Sequence, residues 1–166
     1  MPDRPHPIPE GYTTVTPWII VRGASALIEF LKQAFGAEEL GRLNGPDGKI
    51  VHAEARIGTA VVMLFDAREG WPETHQFLRL YVDDAQAVIE RGVAAGGRLV
   101  TPVTDLGFGD RVGRLADPWG NLWWVQERIE TLDPEEAGRR MQLPTYAEAM
   151  VDVQRSLDDE MKSRVS

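Results

Sequence analysis

Hydrophobic positions along this chain switch between a period of two and a period near 3.6, and the switches recur. Thr13 to Val21 (TTVTPWIIV) is rich in β-branched and aromatic residues and predicts a strand. Leu27, Phe30, Leu31 and Ala34 fall at helical spacing and predict a helix over 23–36, with Gly36 as its C′ residue. Short strands follow over 40–43, 50–57 and 60–65, the first two separated by the turn signal Gly45-Pro46-Asp47-Gly48. The series then restarts. Residues 76–82 predict a strand, and 84–95 a helix capped by Asp83 or Asp84 and stopped at Gly96-Gly97. Strands over 99–103, 112–116 and 122–128 complete the second series, with a turn at Asp117-Pro118-Trp119-Gly120.

The restart is an internal repeat. Val21–Gly36 laid over Val82–Gly97, an offset of 61, gives seven identities in sixteen positions. Two tandem βαβββ modules, over 13–67 and 75–130, are the natural reading. They give an α+β fold whose curved, open-barrel mixed sheet has helices outside. Residues 1–12, with Pro2, Pro5, Pro7 and Pro9, read as an extended arm. Residues 131–166 read as a C-terminal helical extension. Its first helix starts at Asp133-Pro134-Glu135-Glu136 and ends at Pro144. Its second starts from a capping box, Thr145-Tyr146-Ala147-Glu148, and carries a stripe of Met150, Val153, Leu157 and Met161 that packing on the domain or on another subunit would bury.

Strand parity sorts the side chains onto two faces. Ile19, Val21, Val51, Ala53, Ala55, Ile57, Val62, Leu64, Leu78, Leu80, Val82, Trp123 and Val125 form an apolar face suited to helix cover. Thr14, Thr16, Trp18, His52, Glu54, Arg56, Met63, Phe65, His75, Phe77, Arg79, Trp124 and Gln126 form a mixed face of rings, hydroxyls and a few charges. A concave, mostly apolar surface with a few polar groups suits a small-molecule pocket.

Composition narrows the chemistry. The 166 residues carry 18 Lys plus Arg against 26 Asp plus Glu, a net charge of −8, which argues against nucleic-acid binding because phosphate contacts need clustered cations. There is no cysteine, which excludes disulfides, thiolate metal sites and thiol catalysis. No apolar run reaches the roughly 18 residues of a membrane span, and MPDRPHPIPE has no apolar core of a secretory signal, so a soluble cytoplasmic domain is expected. Gly107-Phe108-Gly109 lacks the Lys-Ser/Thr and following helix of a phosphate loop, and neither a nucleophile elbow nor a dinucleotide fingerprint occurs.

The tandem modules resemble the vicinal oxygen chelate superfamily of glyoxalase I, extradiol dioxygenases and bleomycin-resistance proteins. Phe35-Gly36-Ala37, Asp47 to Glu54 (DGKIVHAE), Ile57-Gly58, Gly109-Asp110-Arg111, Gly113 and Asp117 to Trp123 (DPWGNLW) look like its PhnB-like branch. The resemblance spans about Thr13 to Arg128 and implies a homodimer. It also implies a divalent ion held by one His, Gln or Glu from each of four strands. Carried onto this chain, those positions are Thr16, Met63, Phe77 and Trp124, none of which is a good ligand for Mg, Mn, Fe, Ni or Zn. No metal and no other cofactor is therefore expected.

The expected activity is metal-independent binding of a small aromatic or hydrophobic molecule. Trp18, Met63, Phe77 and Trp124 would form the walls, and Thr16, His52, Glu54, Arg79 and Arg114 would orient the ligand. Arg114 is taken as the repeat partner of His52 when Gly58 is matched to Gly120. His52 and Glu54, two apart on one strand, are the candidate catalytic residues of a metal-free acid–base alternative, since a carboxylate can orient an imidazole. With His75 as a third ligand they could instead form a metal site, and a metal-dependent lyase, isomerase or dioxygenase with ligands at other positions is a further alternative. Whether the chain is an enzyme stays open at this point. A small-molecule ligand and a second copy are its expected partners, with no nucleic acid and no membrane.

Overall fold

Gly23 and Gly36 punctuate the first helix because both adopt positive φ, 93° and 67°, where a side chain is strained. A computed structural model describes residues 6–165 and divides between His75 and Gln76 into two compact units. The first holds β1 (Trp18–Val21), α1 (Ala24–Phe35), β2 (Glu38–Asn44), β3 (Ile50–Ile57) and β4 (Ala60–Asp66). The second holds β5 (Phe77–Tyr81), α2 (Ala85–Ala94), β6 (Arg98–Asp105), β7 (Asp110–Ala116) and β8 (Leu122–Arg128), then α3 (Pro134–Met141) and α4 (Pro144–Ser163).

Each unit is a four-stranded mixed sheet of matching topology, in the order β1-β4-β3-β2 and β5-β8-β7-β6. The β1/β4 and β5/β8 pairs are parallel and the others antiparallel. The two βαβββ modules expected from the repeat are therefore present. Among the described residues no helix is long and apolar enough to cross a membrane.

In the first unit, Leu27, Ile28, Leu31 and Ala34 of α1 are fully buried, as are Ile19, Ala53, Ala55 and Leu64 of the sheet. In the second unit, α2 lies so close to its sheet that a Cβ on Gly113 would meet the Ile89 side chain at 3.2 Å, and one on Gly92 would meet Leu115 at 2.7 Å. Each helix N-terminus is tied to the far end of its own sheet. Asp66 of β4 accepts from the backbone N–H groups of Gly23 and Ala24, and Glu127 of β8 accepts from Ala85. Asp66 and Glu127 stand 61 positions apart, as do Ala24 and Ala85, so the cap repeats with the module.

Asp66 also accepts from Ile50 N–H. Burial pushes its carboxyl up, but the three backbone donors outweigh that and hold it below its ordinary value of 3.8. Asp66→Ala is expected to cost about 2 kcal/mol in urea unfolding by orphaning these donors. A depressed folded pKa makes the Asp66 contribution complete above pH 3.8 and loses it as pH falls below that value, so the gap between wild type and variant should narrow on acidification.

Four expectations are corrected. The first strand begins at Trp18 rather than Thr13. The Thr13 hydroxyl donates to Val15 C=O, Thr16 donates to Thr13 C=O, and Pro17 has no N–H, so the preceding residues bond locally instead of joining the ladder. Val51 is 51% exposed rather than covered, because a register shift beside Asn44 disturbs the start of β3. Pro144 starts α4 rather than ending α3. It stands at the first helical position behind the N-cap Leu143, so Thr145-Tyr146-Ala147-Glu148 lies inside the helix and is not a capping box. Arg114 pairs with Trp124, whereas Glu54 pairs with Met63, so the repeat partner of Arg114 is Glu54 and not His52. The β7/β8 connection, residues 117–121, is three residues longer than Gly58-Thr59, which displaces any frame anchored on the turn glycines. Within the N-terminal arm, residues 1–5 lie outside the described residues, and Pro9–Tyr12 form a turn closed by Tyr12 N–H on Pro9 C=O.

Candidate functional site

In the first unit the face opposite α1 carries a transverse row, Trp18 (β1), Met63 (β4) and Glu54 (β3). Trp18 is 41% exposed. Its ring meets His52 edge-on at 5.6 Å and Phe65 at 5.2 Å, and Phe65 meets Trp71 at 6.0 Å, all in T-shaped geometry. The Trp18, Phe65 and Trp71 rings line a cleft of about 450 Å³, together with the cations Lys49 and Arg68 and the carboxylates Asp47, Asp66 and Glu69. The Arg68 guanidinium stacks 5.5 Å from the Trp71 ring centre. Strand pleat explains the placement of Trp18, Met63 and Phe65 on this face. Trp71 comes from the loop after β4, held by Arg22 Nη2 donating to Trp71 C=O at 2.8 Å.

Beside the cleft, Nε2 of His52 lies 3.0 Å from Oε1 of Glu54, and Tyr12 OH donates to Oε2 of the same carboxylate. Tyr12, and then His52, hold the Glu54 carboxyl below its ordinary range, while the same hydrogen bond raises the Tyr12 hydroxyl. The triad can hold a proton on His52 and a charge on Glu54, which is the minimum for acid–base work.

The second unit carries the corresponding row Arg79 (β5), Trp124 (β8), Arg114 (β7) and Thr101 (β6). Arg79 and Arg114 lie 4.5 Å and 4.0 Å from the centre of the Trp124 ring, and Phe77 stacks at 6.3 Å. Phe77 is 51% exposed, whereas Arg114 is wholly buried. The cover is α4. Val153 packs with Leu106 and Val112 beside Trp124 and Met150, its carbonyl accepts from Arg114 Nη1 at 2.8 Å, and Ser156 bonds Thr101. Of the stripe expected to be buried on that helix, Val153 is, but Met161 is 47% exposed.

Thr16, Trp18, His52, Glu54 and Met63 thus belong to the first unit, and Phe77, Arg79, Arg114 and Trp124 to the second. Thr16 precedes β1 and spends its hydroxyl on Thr13 C=O. Tyr12, Phe65 and Trp71 complete the first site and were not among the expected ligand-binding residues. For Trp71 the available signal was an aromatic between Gly70 and Pro72 in an otherwise polar loop.

The divalent ion that the fold suggests does not fit the four positions it would use. Thr16 offers an engaged hydroxyl and Met63 a thioether, while Phe77 offers no donor and Trp124 only an indole N–H, no lone pair. Among the described residues no three His, Asp or Glu side chains converge as a metal site. His75 pairs with Glu73 at 3.4 Å rather than completing a cluster with His52 and Glu54.

Comparison with known proteins follows the fold. The family model of the Glyoxalase/Bleomycin resistance protein/Dioxygenase superfamily matches residues 12–125. An uncharacterized protein of Mycobacterium tuberculosis is 35% identical over 136 residues, which cover 74% of this chain and 78% of that protein. The crystal structure of TioX from Micromonospora sp. ML1 is 23% identical with a TM-score of 0.58, over 73% of this chain and all of that one. The fosfomycin resistance protein FosX from Listeria monocytogenes, solved with Mn(II) and sulfate, is 16% identical with a TM-score of 0.54, over 75% of this chain and 95% of its own. At these identities the structures share the fold.

Proposed function

This chain belongs to the Glyoxalase/Bleomycin resistance protein/Dioxygenase superfamily, and from that premise we propose that it binds a small aromatic or hydrophobic molecule without a metal ion. The observation that carries this reading is the edge-to-face series Trp18, Phe65, Trp71 lining one cleft. Rings at these spacings present apolar walls to a planar guest, and aromatic pairs add about 0.5–1.5 kcal/mol each beyond area burial. Met63 pairs with Trp18 across β1 and β4 and does not line the cleft, whereas Lys49 and Arg68 do and can orient a phenolic or anionic substituent. The motifs around Asp47 to Glu54 and Asp117 to Trp123 support placing the chain in the PhnB-like branch. A cytoplasmic site of action and a homodimer remain part of the proposal.

Calorimetric titration of the full chain with 1-naphthol and with 4-hydroxybenzoate tests this reading. At least one should bind saturably, and Trp71→Ala should weaken it about tenfold, the equivalent of 1.4 kcal/mol. If neither binds, or if Trp71→Ala leaves the affinity unchanged, the cleft is not the binding site. The 3.0 Å contact between His52 and Glu54 favours a second reading, metal-free proton transfer on the bound molecule. His52→Ala would then abolish turnover and spare binding.

A further inference from the structure

Arginine is seldom fully buried, and when it is, a carboxylate normally accompanies it. Arg114 breaks that rule. It is 0% exposed, and no described acidic side chain pairs with it. Nη1 donates to Thr101 Oγ1 at 3.0 Å and to the Val153 carbonyl at 2.8 Å, both neutral acceptors. Nε and Nη2 are buried with no hydrogen-bond partner on the protein. These two atoms form the edge of the guanidinium that grips a carboxylate or phosphate bidentately. The ring stacked against it, Trp124, carries another buried donor without a partner, Nε1. A second cation, Arg79, lies 4.5 Å from the centre of the same ring. Burial, and then Arg79, depress the Arg114 pKa to about 10, as expected of an uncompensated cation.

The segment that closes this place is weakly glued. Among the described residues, one apolar contact of α4 with the sheet is the group of Leu106, Val112 and Val153 with their neighbours. Polar contacts join them: Ser156 to Thr101 at 2.8 Å, Glu160 to Arg98 at 2.7 Å, and Arg164 to the Gly120 carbonyl at 2.8 Å. Elements with few buried apolar contacts open locally at low cost.

We propose that the face of the second sheet beneath α4 is a binding site for an oxyanion, a carboxylate or a phosphate, gripped by the Nε/Nη2 edge of Arg114 and admitted when α4 lifts. The site is in the second unit and does not rest on the aromatic cleft of the first. The Nε/Nη2 edge is buried while α4 lies over it, so an anion there competes with the closed position of α4, and occupancy and opening are energetically linked.

The test uses the full chain labelled with ¹⁵N, titrated with inorganic phosphate and separately with acetate at constant ionic strength, with chloride as control. The Arg114 Nε–H and Trp124 Nε1–H resonances should shift saturably with phosphate or with acetate and not with chloride. Which of the two saturates identifies the source of the oxyanion. Arg114→Lys, which keeps the charge and loses the fork, should weaken binding at least tenfold. Glu160→Gln, which loosens α4 without touching the guanidinium, should tighten binding severalfold and speed amide exchange over 149–160. Trp71→Ala should change none of this, which separates the site from the cleft. The proposal is overturned if both anions shift these resonances only linearly, like chloride, if Arg114→Lys binds as well as wild type, or if Glu160→Gln leaves the affinity unchanged. A bound water as the sole partner of Nε and Nη2 under saturating phosphate and acetate also overturns it.

Discussion

Trp123→Ala is expected to destabilise the second unit by about 3–5 kcal/mol, the largest effect of any single substitution considered for this chain. Trp123 is the largest side chain with no exposure at all. It stands on the α2 face of β8, paired with Leu115, which is also wholly buried. Deleting the indole opens a cavity that β-sheet backbone cannot collapse to fill, so the transfer loss and the void add. The midpoint of urea unfolding should fall sharply with the slope unchanged. A loss below 1 kcal/mol would mean that the indole is not packed as described.

Asp117→Ala follows, at about 3 kcal/mol, by a different mechanism. The Asp117 carboxylate is a buried hub. It accepts from the backbone N–H groups of Trp119 and Asn121, from the Asn121 amide at 2.8 Å, and from Trp123 Nε1 at 3.0 Å. Asn121 in turn accepts from Gln76 N–H at 2.9 Å, so the hub fixes the entry to β5 as well as the β7/β8 connection. Removing the carboxylate strands several donors away from water. Because Trp123 and Asp117 share a hydrogen bond, the double variant should cost less than the two single losses added together. Strict additivity in a denaturation cycle would show that the indole N–H and the carboxylate do not interact.

Much of this architecture was legible in the chain. Strands 50–57 and 122–128 stand as read in extent, although the register shift beside Asn44 turns Val51 outward and Leu122 to Val125 run apolar without a break. The Asp84 and Asp133 caps form as their sequences imply, each accepting an N–H three residues on. What escaped was non-local. The cap on α1 comes from Asp66, 42 residues away, and no local pattern announces it. Thr13 to Thr16 have strand-forming side chains, yet their hydroxyls satisfy nearby carbonyls. For the site, parity put Trp18, His52, Glu54 and Met63 on one face, but Tyr12 and Trp71 reach it from loops that have no period to read. Arg114 could be seen facing the mixed side. That α4 would lie over it could not, because an amphipathic stripe says that a helix is covered and not by what.

The two modules share one topology, and the row at the middle of each sheet is where they differ in charge. Where one copy has Glu54 beside Met63, the other has Arg114 beside Trp124. An acid in one half answers to a base in the other, so the halves have opposite electrical tastes at a shared address. Exchanging them would not restore the original molecule.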